Sequence, residues 1–332
     1  MPSSNCGMVS PTKPVFSHHF MTQLFRFFLL SLLFLSACTD SPQQADPNFT
    51  PQFRIHTYQP TNSPVVLVDE AHHNFLTING RFAPFKQVLL SDGFSVKANT
   101  TPFTGTSLAK ADILVIANAL DRDRTDWQPP YELALTQQEV ERVVLWVKHG
   151  GALLLIADHA PFPAVIDNLA KAFGVVFTNG HVSTYTFKRS TQSLAVHTIT
   201  SGRSDEDKST ETPIFMQPVP DASITQVKTF GGSAFQPPEQ ATSLLTLGKG
   251  TVSHEPAIPF QISADSRTIS TSGWSQGAVL EYGKGRVAVF AEGMMFSSQL
   301  DTKTGQTYGL RSPGAEQNEQ FLLNVMHWLA GD

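Results

Sequence analysis

From residue 65 onward, short apolar runs alternate with stretches in which apolar residues recur at helical spacing. A strand is predicted wherever the run is short, unbroken and rich in branched residues. These runs lie at 65–68, 94–96, 113–117, 152–157 and 175–177, and the helical stretches between them lie at 81–90, 137–148 and 164–173. Strands that alternate with helices of this length predict βαβ units and a doubly wound, mainly parallel α/β sheet.

The pattern weakens in the second half of the chain. From about residue 179 to 240 the sequence is rich in Thr, Ser, Gly and Pro and has little periodicity, which predicts an irregular or β-rich insertion. Strands are again predicted at 244–247, 278–282 and 286–291, with Gly283-Lys284-Gly285 as a hairpin turn, and a closing helix at 318–329. We therefore expect one α/β domain over residues 63–332.

A separate apolar run, 25–34, precedes this domain and is followed by Leu35-Ser36-Ala37-Cys38. The run is too short to span a bilayer comfortably, which favours the apolar region of an export signal over a buried helix that ends in Cys38 by chance. The four residues resemble the lipobox of bacterial lipoproteins. That resemblance implies a signal segment over 1–38 and a lipid on Cys38.

Two further expectations concern the N-terminal region. Met21 begins a compact signal and is a candidate translation start, since the preceding stretch contains three prolines. Thr39, rather than Asp, follows the cysteine, which by the sorting rule of Gram-negative lipoproteins implies the outer membrane, facing the periplasm. Residues 39–62 are rich in Pro, Gln and Asn, a composition that predicts a flexible tether.

Charge and cysteine content exclude several classes of function. The formal net charge of −5 becomes 21 − 28 = −7 without the signal, which argues against a nucleic-acid partner. The two cysteines are Cys6 and Cys38, so the domain after residue 38 has no thiol nucleophile, disulfide or thiolate metal site.

Polar residues follow several of the predicted strands. In an open α/β sheet, ligands bind at the carboxyl ends of the strands. We therefore predict a ligand-binding cleft formed by Asp69, Glu70, His72, His73, Asn74, Asn118, Asp158, His159 and Glu292.

The chemistry of this cleft has more than one interpretation. Its carboxylates and imidazoles could provide an acid/base pair, with Asp69, His72, Asp158, His159 and Glu292 as catalytic candidates, or hold a divalent metal such as zinc. Alternatively, Asp69 and Asp158 cap nearby backbone N–H groups, and His72 and His73 are partly exposed loop residues. The sequence has no His-x-x-x-His or His-Glu-x-x-His spacing that would support a metal.

Ser275 lies in the pattern Gly273-Trp274-Ser275-Gln276-Gly277, which matches the G-x-S-x-G motif of serine hydrolases. That motif positions a nucleophile only on a turn between a strand and a helix. Here the following residues alternate into a predicted strand, so we interpret the match as chance.

The segments 112–116, 150–154 and 283–287, together with Asp-Glu-Ala-His-His-Asn at 69–74 and Ala-Asp-His-Ala-Pro-Phe-Pro at 157–163, resemble the class I glutamine amidotransferase-like superfamily, in its uncharacterised bacterial branch. The resemblance covers roughly residues 64–330 and implies a flavodoxin-like sheet. Glutaminase members carry a cysteine after the strand that corresponds to 152–157, where this chain has Asp158-His159. We therefore expect no glutaminase activity.

Two functions remain open at this point. The first is a lipid-anchored envelope protein that is not an enzyme and whose cleft binds an envelope ligand or protein. The second is a hydrolase, with or without a metal, acting on envelope or sugar-derived substrates. Fold alone does not decide between them.

Overall fold

The computed structural model describes residues 43–52, 57–124, 126–202 and 223–331. The predicted signal, its candidate start at Met21, Cys38 and Thr39 lie outside these residues. Nine strands form the main sheet: β2 Val65–Asp69, β3 Ser95–Asn99, β4 Ile113–Ala117, β5 Ala152–Ile156, β6 Val176–Phe177, β10 Phe235–Gln236, β11 Thr242–Thr246, β14 Ser275–Tyr282 and β15 Gly285–Phe290. The other strands are β1 Gln43–Ala45, β7 His181–Val182, β8 Tyr185–Lys188, β9 Gln226–Thr229, β12 Val252–Glu255, β13 Arg267–Ser270, β16 Ser298–Asp301 and β17 Thr307–Gly309.

Seven α-helices occur in the described residues. They are α1 Ala83–Ser91, α2 Gly105–Leu108, α3 Gln137–Lys148, α4 Phe162–Val165, α5 Asp167–Ala172, α6 Thr198–Ser201 and α7 Asn318–Ala330. Single turns of 3₁₀-helix lie at Arg189–Thr191 and Met294–Phe296.

The main sheet has a parallel half and an antiparallel half. Its order is β3-β2-β4-β5-β15-β14-β10-β6, with β11 also paired to β14. Every pair from β3 to β15 is parallel, whereas β14 runs antiparallel to β15, β10 and β11. The predicted α/β class is confirmed, and the sheet is mixed.

Burial of the central strands explains why helices cover both faces of the sheet. All five residues of β4 and of β5 are buried, so each strand presents apolar side chains in both directions. On one face these side chains pack with apolar residues of α1 and α7, and on the other with those of α2, α3 and α5.

Local signals in the sequence set several element boundaries. Thr136 caps α3 with a capping box, in which the Thr136 side chain accepts from the Glu139 backbone N–H and the Glu139 side chain accepts from the Thr136 backbone N–H. The hairpin predicted between β14 and β15 is confirmed. The predicted helix at 164–173 is instead two short helices, α4 and α5, because Ile166 leaves helical geometry between them.

The region predicted as an insertion contributes small antiparallel sheets beside the main one. β7 pairs with β12, which pairs with β13, and β8 pairs with β9. β10 lies in the same region but joins the main sheet. The small sheets therefore also draw on residues 252–270, beyond the predicted boundary at about 240.

The prediction of a flexible tether over 39–62 is wrong for the part that the structure describes. β1 pairs antiparallel with β16, and Phe49 is 4% exposed beneath the Arg311 guanidinium. Tyr58 is buried against Phe94. A short edge strand is held by backbone hydrogen bonds, which a polar composition does not prevent.

Across the described ranges, no helix combines the length and the apolar character needed to cross a membrane.

Candidate functional site

Parallel strand order brings the predicted polar residues to one edge of the sheet. β2, β4, β5 and β15 are consecutive neighbours, so their carboxyl ends lie side by side. The chain leaves β2 towards β3 on one side, while β4 and β5 lie on the other. This change of direction is the usual position of a ligand cleft in an open α/β sheet.

His72 lies between two buried carboxylates at this edge. Its Nδ1 is 2.8 Å and 3.0 Å from the two oxygens of Asp69, and its Nε2 is 3.0 Å from Glu139 Oε1. All three residues are buried. The contacts join the end of β2 to the first turn of α3, so this trio holds a helix against the sheet.

The trio favours a charged imidazole. Burial alone would lower the pKa of His72, but hydrogen bonds and charges from Asp69 and Glu139 outweigh it and raise the pKa above 6.5. Burial alone would raise the pKa of Glu139, but hydrogen bonds from Thr136, Phe103 and His72 hold it below 4.5. In its protonated form, His72 donates to a carboxylate on each side.

A second acidic group lies at the ends of β5 and β15. Asp158 accepts from the backbone of His159 at 2.8 Å and of Gly293 at 3.3 Å, and its own N–H donates to Asn118 Oδ1 at 2.9 Å. Glu292 is 1% exposed and accepts from the N–H groups of the next two methionines at 2.8 Å each. Burial, together with the charge of Asp158, raises the pKa of Glu292 well above 4.5.

The remaining predicted residues of the first loop bond to backbone. Glu70 accepts from the Ile78 N–H at 2.7 Å. The side chain of Asn74 accepts from His72 N–H at 3.2 Å and donates to the Ala117 carbonyl at 3.4 Å. These bonds fix the loop that follows β2.

The side chain of His159 lies in a cluster of rings. It stacks on His181 with ring centroids 4.6 Å apart, and the exposed ring of Phe260 lies 4.7 Å away. His254 is the cross-strand neighbour of His181. Burial and the charges of His159 and His254 lower the pKa of His181 to about 4, and its buried Nε2 has no partner among the described residues.

A cavity of about 360 Å³ opens beside the loop after β2. Its wall is partly aromatic, because Phe75 and Trp127 meet at 5.8 Å and Trp127 also contacts Phe162 and Phe260. The residues lining it are His73, Asn74, Phe75, Gly80, Arg81, Leu120, Asp123, Arg124 and Trp127.

Of the nine residues predicted from sequence, His73 and Asn74 line this cavity. Of the others, His159 belongs to the ring cluster, and the rest form hydrogen bonds to one another or to backbone at the strand ends. Sequence reasoning missed Arg81, assigned to a helix, and the loop residues Asp123 and Trp127. The length of the 19-residue connection between β4 and α3 could have indicated a site there, because long loops in compact domains are often functional.

Ser275 begins β14 rather than a turn before a helix, which confirms the interpretation of its motif as chance. Its hydroxyl is buried and donates to the Gly277 carbonyl at 2.8 Å. In the part of the chain that the structure describes, no three His, Cys, Asp or Glu side chains are grouped so that they could hold a metal ion.

No protein-family model and no curated protein matches the chain. Among solved structures, the chain is similar to the N-terminal domain of mmIFT52, with a TM-score of 0.53, 14% identity, and coverage of 80% of this chain and 97% of that one. It also matches the protein STM3548 from Salmonella typhimurium, with a TM-score of 0.46, 14% identity, and coverage of 80% and 98%. A match to a ThuA-like protein from Bacteroides uniformis has a TM-score of 0.43 and 11% identity, and it covers 86% of this chain and 95% of that one. Of these three, only the mmIFT52 match has a TM-score above 0.5. At 14% identity, that match indicates a similarity of fold alone.

The first prediction concerns the trio. His72→Ala leaves Asp69 and Glu139 buried without their cation, and should lower the free energy of unfolding by about 3–5 kcal/mol. Because the folded pKa of His72 is raised, His72 contributes its full stabilisation below pH 6.5, and this stabilisation is lost as the pH rises through the folded pKa. Because the folded pKa of Glu139 is lowered, Glu139 contributes its full stabilisation above pH 4.5. Urea denaturation between these pH values should therefore show the largest loss.

The matched control is His73→Asn, at the exposed neighbouring histidine, because asparagine tolerates the positive φ of 47° found there. It should change stability by less than about 0.5 kcal/mol. Equal effects of the two substitutions would contradict the role assigned to His72.

The second prediction concerns His181. Its folded pKa of about 4 lies below the ordinary 6.5, so the unfolded chain takes up a proton first and stability should fall as pH falls from 6.5 towards 4. His181→Phe keeps a ring in the stack and removes the titration. Urea midpoints measured across this interval should fall less steeply for the variant than for the wild type, and parallel curves would show that His181 is not responsible.

Proposed function

We propose that this chain is a lipid-anchored cell-envelope protein, attached through Cys38, whose amidotransferase-like domain binds a ligand in the cavity beside the carboxyl ends of β2 and β4. One observation carries the binding proposal: the strand-end acids are engaged in internal hydrogen bonds, while the cavity next to them has an aromatic and polar wall. Apolar surface with a few placed polar groups is typical of small-ligand sites.

The topology supports a flavodoxin-like assignment for the parallel half of the sheet. Numbered along the chain, the five parallel strands have the order 2-1-3-4-5, which is the flavodoxin order. The cavity lies beside the ends of β2 and β4, the strands at which that order reverses. The antiparallel strands beyond β15 are additional to this arrangement.

Backbone strain near the cavity also supports a functional site. His73, Asn118 and Phe260 have φ values of 47°, 51° and 67°. A left-handed conformation is least expected for a bulky residue such as Phe260, and strained residues concentrate at binding and catalytic sites. These three lie at the cavity, at the strand ends or in the ring cluster, while the fourth non-glycine residue with positive φ among the described residues, Gln192, ends the 3₁₀ turn at Arg189–Thr191.

Binding is preferred over catalysis because of how the acids are used. The position after β5, where glutaminase members have cysteine, holds Asp158, and both of its oxygens accept backbone N–H groups. The hydrolase remains a second candidate on one observation: buried Glu292 lies beside Asp158, whose charge helps to raise the Glu292 pKa, and a carboxyl group with a raised pKa can act as a general acid.

The test of the binding proposal is a panel of envelope oligosaccharides and peptides, measured by calorimetry with the wild type and Trp127→Ala. We expect a panel member to bind, and the variant to bind it about tenfold or more weakly, because an aromatic contact is lost. Trp146→Ala, in α3 and outside the cavity lining, should bind as the wild type does. Turnover of a panel member that Glu292→Gln abolishes would instead favour the hydrolase.

The anchor has its own test. Expressed in a Gram-negative host, the wild type should fractionate with membranes and gain the mass of its acyl chains, whereas Cys38→Ser should not gain that mass, even if its uncleaved apolar run 25–34 holds it at the membrane. Cys6→Ser is the matched control and should behave as the wild type. A membrane-bound, acylated Cys38→Ser protein would contradict the assignment.

A further inference from the structure

We propose that the cavity binds an anionic group, a carboxylate or a phosphate, through Arg81, with the aromatic wall taking the apolar part of the same ligand. This inference rests on the proposed function, because it names the chemistry of a ligand for that cavity. It depends on how the charged groups around the cavity are already paired.

Arg81 has spare donors at the cavity. Its Nε and one terminal nitrogen donate to the Gln43 carbonyl at 3.0 Å and 2.8 Å. A guanidinium has five N–H donors, so 5 − 2 = 3 have no acceptor among the described residues. No described carboxylate forms an ion pair with Arg81.

The environment of Arg81 makes its charge available to a ligand. The guanidinium is half-buried and lies 4.1 Å above the ring of Phe75, which orients it along the cavity wall. Burial lowers its pKa from the ordinary value, as expected of a cation that has lost water without gaining a carboxylate. A charge in this position is screened less than one at the open surface.

The other ionic groups of the cavity are paired with one another. Arg124 is bound to Asp121 by two hydrogen bonds of 2.9 Å and 2.7 Å, and its side chain is fully buried. His73 contacts Asp123 at 2.8 Å, and the Asp123 side chain is 93% exposed. Because water screens Asp123, Arg81 is the cation left to attract a ligand.

The aromatic wall adds a second requirement. Phe75 lies under Arg81 and against Trp127, so an anion held by the guanidinium places its substituent over these two rings. We therefore expect small aromatic anions to bind better than either a neutral aromatic molecule or an inorganic anion.

The experiment uses four probes with the full-length Cys38→Ser chain in detergent: phenyl phosphate, phenylacetate, benzyl alcohol and inorganic phosphate. Affinities come from calorimetry and from the indole N–H signal of Trp127 in NMR spectra. The two aromatic anions should bind about tenfold or more tightly than benzyl alcohol, and added salt should weaken only the anions. The ratio of phenyl phosphate to phenylacetate affinity then tells a phosphate site from a carboxylate site.

Variants assign the preference to Arg81. Arg81→Met should weaken both aromatic anions about tenfold and leave benzyl alcohol within about twofold, whereas Arg81→Lys should keep part of the preference. The matched control is Arg286→Met, because Arg286 also donates to a backbone carbonyl and lies over an aromatic ring, that of Trp328. It should bind all probes as the parent chain does.

Three outcomes would overturn the inference. In the first, benzyl alcohol and the anions bind equally well and Trp127→Ala abolishes the binding of all of them, which would leave a ligand site without anion preference. In the second, the parent chain binds the anions with an affinity that salt does not change, which would exclude an electrostatic anion site even if Arg81→Met does not fold. Absence of binding by all four probes at 50 mM would reject the anion site, while the proposed function is still judged by the oligosaccharide and peptide panel.

Discussion

The structure depends on pairing the charged side chains that are buried at the ends of the parallel strands. Asp69 ends β2 with no exposed surface, and a buried carboxylate is costly unless it is paired. His72, three residues later, supplies the cation, and Glu139 supplies the second carboxylate from α3. The contact that pairs Asp69 with His72 therefore also helps to position α3, one of the helices that cover a face of the sheet.

This arrangement divides the strand-end edge into two layers. The inner layer contains acids and amides that bond to one another or to backbone, and it is rigid for that reason. The outer layer contains Phe75, Arg81 and Trp127, whose rings and cation border open space. The ligand site that we propose lies in the outer layer, whereas most of the polar residues that directly follow the strands belong to the inner one.

The sequence predicted what local signals encode. The apolar run of β4 and the Thr136–Glu139 capping box each specify an element within a few residues of chain. The second role of Glu139 was not predictable, because its bond to His72 joins residues 67 positions apart. β1 was also missed, since edge pairing uses backbone groups that every residue has. The cavity depends on Trp127 packing against Phe75, a contact that no periodicity marks.

The pairing of β1 with β16 joins residues 43 and 301. Because synthesis runs from the N-terminus, β1 is made long before β16, so its paired edge stays open while the intervening residues are added. Unpaired strand edges favour association between incomplete chains. β1 is three residues long and two of them are polar, features that limit such association.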